Sequence, residues 1–257
     1  MTGLAKSSMP MPVMAVLAGG LATRLQPLTS NVPKSLLQVA GEPFVAHQLR
    51  LLVREGFHDI VMLCGYLGEQ VEEFVGDGTK FGCAVRYSFD GDVLRGTGGA
   101  LRRALPMLGG QFMVMYGDSY CPTHYNRVYE AFVNSGKLGL MTVFENHSRW
   151  DRSNVEFRNG EIVDYDKNKP TPAMTFIDYG VGAFKAAAFW EWSEESVFDL
   201  STVQTRLLAQ GQLAGLEVYE RFYEIGSHGG LEETNKMLSG DTQASLCSND
   251  TTGKKAK

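Results

Sequence analysis

Gly19-Gly20, Arg24 and Lys34 lie close together, directly after the apolar run Val13-Met14-Ala15-Val16-Leu17. That run reads as a buried strand. Paired glycines let the backbone bend sharply at its end and expose consecutive N–H groups, which can hold phosphate oxygens. Arg24 adds a fixed cation with forked donors, and Lys34 a compact, mobile one. Pro27 and Pro33 stiffen the segment between them. Each feature is ordinary by itself, since Gly-Gly after a strand is usually a turn and Arg and Lys usually face water. Gathered at one strand end, they describe a polyphosphate site, and the ligand inferred is a nucleoside triphosphate. The string lacks the Gly-Lys-Ser/Thr ending of a Walker loop and the Gly-x-Gly-x-x-Gly spacing of a dinucleotide fold.

A second strand end supplies acidic chemistry. Phe112-Met113-Val114-Met115-Tyr116 reads as another buried strand, and Gly117-Asp118 follows it. In open α/β sheets ligands lie beyond the carboxyl ends of the strands. Asp118 is therefore placed to bind a divalent cation that itself holds triphosphate oxygens. Magnesium suits that role, because it favours hard oxygens and keeps water or substrate in its shell. Gly96-Thr97-Gly98-Gly99, ahead of a helix expected from near Ala100, permits close approach of a flat base to the backbone. The five histidines, His47, His58, His124, His147 and His228, form no metal-ligand spacing.

The elements that must position these residues alternate strand and helix, which implies a mixed, mostly parallel central sheet with helices on both faces. Pro43 to Glu55 has helical spacing and stops at Gly56. Asp59–Cys64 reads as a strand, Glu69–Phe74 as a short helix, Ala84–Ser88 as a strand and Ala100–Leu108 as a helix. The second half changes texture: Gly139–Phe144, Val155–Phe157, Ile162–Tyr165 and Tyr179–Phe184 read as strands, with a hairpin turn at Asn159-Gly160. Helices near Val203–Gln210 and Leu231–Leu238 close the pattern. No linker divides the halves, so one domain is expected over 12–238. Its nucleotide-binding half covers about 12–120 and its second half about 121–238. Residues 1–11 and 239–257 are expected to be flexible termini, the latter rich in Ser, Thr, Asp and Lys.

Composition bounds the rest. The chain has 257 residues and a formal net charge of −5, enough length for a sizeable core and no general affinity for nucleic acid. Four scattered cysteines, Cys64, Cys83, Cys121 and Cys247, show no C-x-x-C spacing, which favours reduced thiols in a cytoplasm. Lys6 and the run from Met9 to Ala18 have the outline of a signal peptide, but two prolines break it, and cleavage near Ala18 would remove part of the glycine loop. No other apolar run approaches the roughly 20 residues of a membrane span.

These strings together resemble the signature of the sugar-1-phosphate nucleotidyltransferases, Gly-Gly-x-Gly-Thr-Arg-Leu-x-Pro-Leu-Thr followed by Pro-Lys. Ala22 stands where that signature has glycine. The resemblance runs from about Met14 to Leu238 and takes in Leu94–Ala100, Tyr116-Gly117-Asp118, Tyr165-Asp166-Lys167 and Phe222–Gly226. Within the family the chain looks closest to members resembling heptose- or mannose-1-phosphate guanylyltransferases and N-acetylmuramate-1-phosphate uridylyltransferases. The resemblance implies the nucleotide-diphospho-sugar transferase fold. It implies nucleotide contacts from Leu17, Ala18, Gly19, Gly20 and Thr23, and base contacts from Gly96, Thr97, Gly98 and Gly99. It also implies a second metal carboxylate late in the chain, where Glu224 replaces the usual aspartate. Lys167 resembles the lysine that meets the sugar phosphate, with Asp166 in place of glutamate. The resemblance makes the second half, about 121–238, the sugar-binding half, with Asn154, Tyr179 and Gly180 candidates for the sugar pocket.

The reaction implied joins a nucleoside triphosphate and a sugar 1-phosphate into a nucleotide sugar and pyrophosphate. Its main obstacle is bringing two anions together, whose repulsion at about 4 Å is several kcal/mol at intermediate dielectric. Magnesium on Asp118 and Glu224, Arg24 at the leaving phosphates, and Lys34 or Lys167 at the attacking phosphate would cancel it. Other readings share the architecture: uridylyl or cytidylyl transfer to another sugar phosphate or a phosphorylated small molecule, or an inactive nucleotide-binding regulatory module. A nucleotide-sugar glycosyltransferase would show Asp-x-Asp at a strand end, and Gly117-Asp118-Ser119 does not. Base, sugar and oligomeric state stay open.

Overall fold

The computed structural model describes residues 10–20 and 23–240. Leu21 and Ala22, the amino-terminal residues 1–9 and the tail beyond 240 lie outside the described residues, so the expectations placed on them are not addressed by the structure. Val13–Ala18 forms β1. It sits at the centre of the sheet because its apolar residues serve both faces. Met14 and Val16 join one buried cluster, Ala15 and Leu17 the other. Gln38–Val39 (β2) and Glu42–Pro43 (β3) make a small hairpin that leads into the helix Phe44–Arg54 (α1). Asp59–Cys64 (β4), Gly68–Val75 (α2) and Ala84–Phe89 (β5) follow. Next come Gly96–Leu108 (α3) and Gln111–Tyr116 (β6). β6, β1, β4 and β5 lie side by side and parallel, so their carboxyl ends share one edge of the molecule.

The remaining elements extend this sheet across the expected boundary between the halves. Ser119–Tyr120 (β7) precedes Tyr125–Ser135 (α4), a helix absent from the sequence expectations. Gly139–Glu145 (β8), the hairpin Val155–Arg158 (β9) and Glu161–Tyr165 (β10), and the long strand Phe176–Lys185 (β11) come next. β11 pairs antiparallel with β6 on one side and β8 on the other, joining both halves into one sheet. Leu200–Ala209 (α5), Leu213–Val218 (β12, also unexpected), Tyr223–Glu224 (β13) and His228–Leu238 (α6) complete the chain.

Helices cover both faces of the sheet. α1, α2 and α4 bury Val45, Leu49, Leu52, Val71, Val75, Val128 and Phe132 against one, and α3 and α5 bury Leu101, Ala104, Val203 and Leu207 against the other. A third cluster, Val39, Phe44, Leu51, Tyr120 and Ile225, fastens α6 and β13 to α1. That packing fixes the late segment carrying Glu224 beside the strand end carrying Asp118. Cys64, Cys83 and Cys121 are free and buried, and burial pushes the Cys64 thiol up to about 12, which keeps it protonated at neutral pH. Among the described residues no helix is long and apolar enough to cross a membrane.

Candidate active site

Beyond the ends of β1, β4, β5 and β6 lies a cavity of about 390 Å³, walled by Leu17 to Gly20, Lys34, Leu63, Asp90, Leu94, Gly96, Thr97, Tyr116 to Asp118, Lys167 and Asp199. Its position follows from the parallel core, where every chain leaving a strand must turn at the same edge. The turn after β6 is unusually close. Gly117 N–H donates to the Leu17 carbonyl at 3.0 Å. A Cβ on Gly117 would stand 2.6 Å from that oxygen and 3.0 Å from Ala18 Cα, so only glycine lets Asp118 come this near to the β1 loop.

Asp118 receives Lys34 Nζ at Oδ2, 2.9 Å away, and Ser119 Oγ at Oδ1, 3.2 Å away. The Lys34 and Asp118 side chains are 16% and 33% exposed, sheltered enough for the pair to be little screened and open enough for an incoming ligand to divide it. The Lys34 segment is held in place by Tyr66 Oη on the Ser30 carbonyl (2.9 Å) and Gln70 Nε2 on the Asn31 carbonyl (3.1 Å).

Glu224 reaches the same place from β13, which pairs antiparallel with β7 and sets Glu224 opposite Ser119. Ile225 N–H donates to the Asp118 carbonyl at 2.9 Å. The Glu224 carboxylate accepts from Gly226 N–H and from Ser227 Oγ at 2.6 Å, and so lies against the amino end of α6, where negative charge is stabilised. A Cβ on Gly226 would lie 2.5 Å from Glu224 Oε2, 3.2 Å from Arg24 Nη2 and 3.4 Å from Asp118 Oδ2. Two carboxylates and a guanidinium, from three separate stretches of sequence, thus converge on one point.

Other sequence candidates land elsewhere. Gly96 and Thr97 border the cavity, but α3 starts at Gly96, not near Ala100, and Gly98 and Gly99 belong to its first turn. Their N–H groups donate to the Phe198 carbonyl at 2.9 and 3.1 Å, and the Phe198 ring and Ser196 carbonyl occupy the space a side chain would need. These two glycines serve packing and offer no free N–H to a base. Thr23 is exposed and does not border the cavity. Asn154 Oδ1 accepts Asp178 N–H at 3.0 Å and its N–H donates to Phe176, so it ties β11 to the neighbouring hairpin. Lys167 borders the cavity, its Nζ 5.7 Å from the centre of the Tyr116 ring. Asp166 instead accepts the N–H groups of Lys169 and Asn168, which hold its carboxyl below the ordinary range.

Tyr179 is corrected outright. It is 1% exposed, its ring packed against Phe144 and Phe222, on the opposite side of β11 from Asp178. Its hydroxyl has no hydrogen-bond partner among the described residues. Tyr179→Phe should therefore leave kcat and KM unchanged and shift stability by no more than about 1 kcal/mol in either direction, read by a urea melt beside an activity assay. Gly180, with φ at +95°, abuts the Tyr116 ring.

The structure adds residues that the sequence pattern did not single out. Asp90 follows β5, borders the cavity at 5% exposure and accepts Arg95 N–H at Oδ2, 3.1 Å away. Burial raises its pKa, against the pull of that N–H and of the Arg95 charge. The strand-end rule applied to β5 would have found it. Asp199, just before α5, accepts Thr97 Oγ1 at 3.4 Å, and Tyr116 closes the same wall.

The profile of the family described as Nucleotidyl transferase matches residues 13–226. The chain belongs to the nucleotidyl transferase family. Among its relatives, the N-acetylmuramate alpha-1-phosphate uridylyltransferase of Neisseria meningitidis serogroup B is 42% identical over 104 residues, covering 40% of this chain and 45% of that protein. The mannose-1-phosphate guanylyltransferase catalytic subunit beta of Drosophila melanogaster is 33% identical over 132 residues, covering 50% of this chain and 36% of that one. The aligned stretch thus spans less than half the length of either relative. A similar solved structure is HddC from Yersinia pseudotuberculosis complexed with GMP-PN. Its TM-score is 0.74 at 18% identity, and the match covers 89% of this chain and 100% of that one, which shows the shared nucleotidyltransferase fold.

Proposed function

We propose that this chain transfers a nucleoside monophosphate from a nucleoside triphosphate to a sugar 1-phosphate, releasing pyrophosphate, with GTP the preferred nucleotide and a heptose or mannose phosphate the acceptor. The observation that carries the reading is the meeting of Arg24, Asp118 and Glu224 at Gly226, with Lys34 on Asp118, beside a glycine loop at a strand end. An oxygen of the sugar phosphate forms a bond to the α-phosphorus as the bond from that phosphorus to the β-phosphate oxygen breaks, and pyrophosphate leaves. A phosphate monoester has a second pKa near about 6, so the attacking oxygen is already anionic and no general base is required. The protein's work is alignment and charge cancellation. Arg24 binds the leaving phosphates, while Lys34 and Lys167 border the space for the attacking one.

Magnesium belongs to this reading. The donor set fits it: Asp118 Oδ2 and Glu224 Oε2 are hard oxygens within 3.4 Å of a single point. Among the described residues no group of three or more His, Cys, Asp or Glu surrounds such a point, so phosphate oxygens and water would complete the shell, as magnesium usually requires. Bound there, magnesium would neutralise charge on the phosphates.

Asp90 favours guanine. A carboxylate only accepts hydrogen bonds, and guanine offers two adjacent donors, its ring N–H and amino group. Uracil and thymine flank one N–H with two carbonyl oxygens, which a carboxylate repels. UTP is the second reading, favoured by the identity to the Neisseria uridylyltransferase. Pyrophosphate release, measured with GTP, UTP, CTP and dTTP against hexose, heptose and N-acetylated sugar 1-phosphates in magnesium, separates them. The expected result is turnover with GTP at least about tenfold above the others, the discrimination that a single hydrogen bond to the base can supply. No release from any pair overturns the proposal.

A further inference from the structure

The buried face of α1 is apolar except at one position. Phe44, Val45, Leu49, Leu51 and Leu52 are buried there, and Gln48 lies among them at 1% exposure. An amide in such a stripe must find hydrogen-bond partners or weaken the fold. Gln48 Nε2 donates to the Tyr116 carbonyl at 3.1 Å and to the Ser119 carbonyl at 2.8 Å. Both partners are acceptors, so the amide can face them only with its nitrogen. Its Oε1 is then buried with no hydrogen-bond partner among the described residues. A buried acceptor left unpaired is uncommon, and here it accompanies two donors aimed at one turn.

The two carbonyls flank Gly117-Asp118, so one side chain from α1 braces the chain on both sides of that turn. Ser119 carries the constraint to both carboxylates. Its Oγ donates to Asp118 Oδ1 at 3.2 Å, and its main chain pairs with Glu224 across β7 and β13. α1 has little freedom to shift under the load. Val45, Leu49 and Leu52 pack against the sheet, while Phe44 and Leu51 pack with Tyr120 and Ile225. Gln48 itself lies outside the lining of the cavity. We propose that Gln48 is a positioning residue that sets the spacing of Asp118 and Glu224 for one divalent cation. The inference rests on the reading of these carboxylates as a metal site for a nucleotide. It goes further by assigning their geometry to a helix residue about seventy positions earlier in the chain.

Calorimetric titration of GTP in magnesium and in EDTA gives the factor by which the metal tightens nucleotide binding. Wild-type protein should show a factor of at least about tenfold. Gln48→Met, of the same length but with no donor, should cut that factor at least about fivefold. Gln48→Glu, which sets a further oxygen against two carbonyl oxygens, should cut it at least as much. In an Asp118→Asn background, Gln48→Met should change the factor by less than about twofold, because the carboxylate it positions is gone. A side chain that only packs would lower the melting midpoint and leave the factor alone. If the Met variant does not fold, Gln48→Asn, which keeps both donors one methylene short, makes the same comparison. An unmoved factor in folded variants, an equal loss with and without the Asp118 carboxylate, or wild-type binding that magnesium does not tighten overturns the inference. Pyrophosphate release, followed separately, keeps the two readings apart. A factor lost at Gln48 with no release from any sugar phosphate sinks nucleotidyl transfer and upholds the positioning role. Release with the factor unmoved does the reverse.

Discussion

Asp118→Asn is expected to lower kcat/KM for pyrophosphate release by about 10³-fold or more while leaving the thermal midpoint within about 4 °C of wild type. The two halves of that result come from different atoms. The fold uses the main chain of Asp118, whose carbonyl accepts Ile225 N–H at 2.9 Å and holds β13 to the strand end, and asparagine keeps it. Among the described residues the side chain hydrogen-bonds only with Lys34 Nζ and Ser119 Oγ, in a partly open position where an ion pair contributes about 0–1 kcal/mol. On the proposed mechanism its charge matters to the reaction, because Asp118 Oδ2 stands with Glu224 Oε2 about the point assigned to the metal that would neutralise the triphosphate. An amide there neither attracts a divalent ion as a carboxylate does nor balances Lys34 before substrate arrives. Activity within tenfold of wild type in magnesium would remove Asp118 from the mechanism. A collapse of the melting point would make its role structural instead.

Much of the candidate site was legible because it is local. Gly19-Gly20, Arg24, Lys34 and Asp118 follow strands whose apolar runs are unmistakable, and a parallel sheet sends all such ends to one edge. Parity along β11 was harder to read. The register shift between Asp178 and Gly182 obscures which residues share a face, so the pattern points Tyr179 into the pocket although its ring packs in the core against Phe144 and Phe222. Gly98 and Gly99 suggested a loop by their propensity. They begin a helix because the Phe198 ring and Ser196 carbonyl, distant in the chain, need the volume that side chains would fill. α4 escaped notice because Tyr125, Val128 and Phe132 are its only buried residues, too sparse a stripe to mark a helix. Glu224 was locatable only by family resemblance: nothing in Tyr223-Glu224-Ile225-Gly226 itself says that it pairs with Ser119-Tyr120. The legible part is the strand ends, and the rest depends on contacts between distant segments.

Gly117→Ala is the change expected to injure fold and reaction together, in separable amounts. The atoms that a new methyl group meets, Leu17 O at 2.6 Å, Ala18 Cα at 3.0 Å and Leu17 C at 3.1 Å, are all main chain. They belong to β1, which is hydrogen-bonded on one side to β4 and on the other to β6, and so has little freedom to yield. The end of β6 must retreat instead, which weakens the Gly117 hydrogen bond to Leu17 and should cost about 1–3 kcal/mol of stability, as overpacking typically does. Asp118 is the next residue and must move with it. A displacement of about 1 Å at a reacting centre can lower the rate about 100-fold. With a typical stability of about 5–15 kcal/mol, a protein that loses this much is still almost wholly folded at 25 °C, so the rate loss would report geometry and not unfolding. A urea melt and a kcat measurement on the same sample give both quantities. Wild-type rate in a destabilised protein would mean that Asp118 does not need its present distance from the β1 loop, and the charge-cancelling arrangement would have to be sought elsewhere in the cavity.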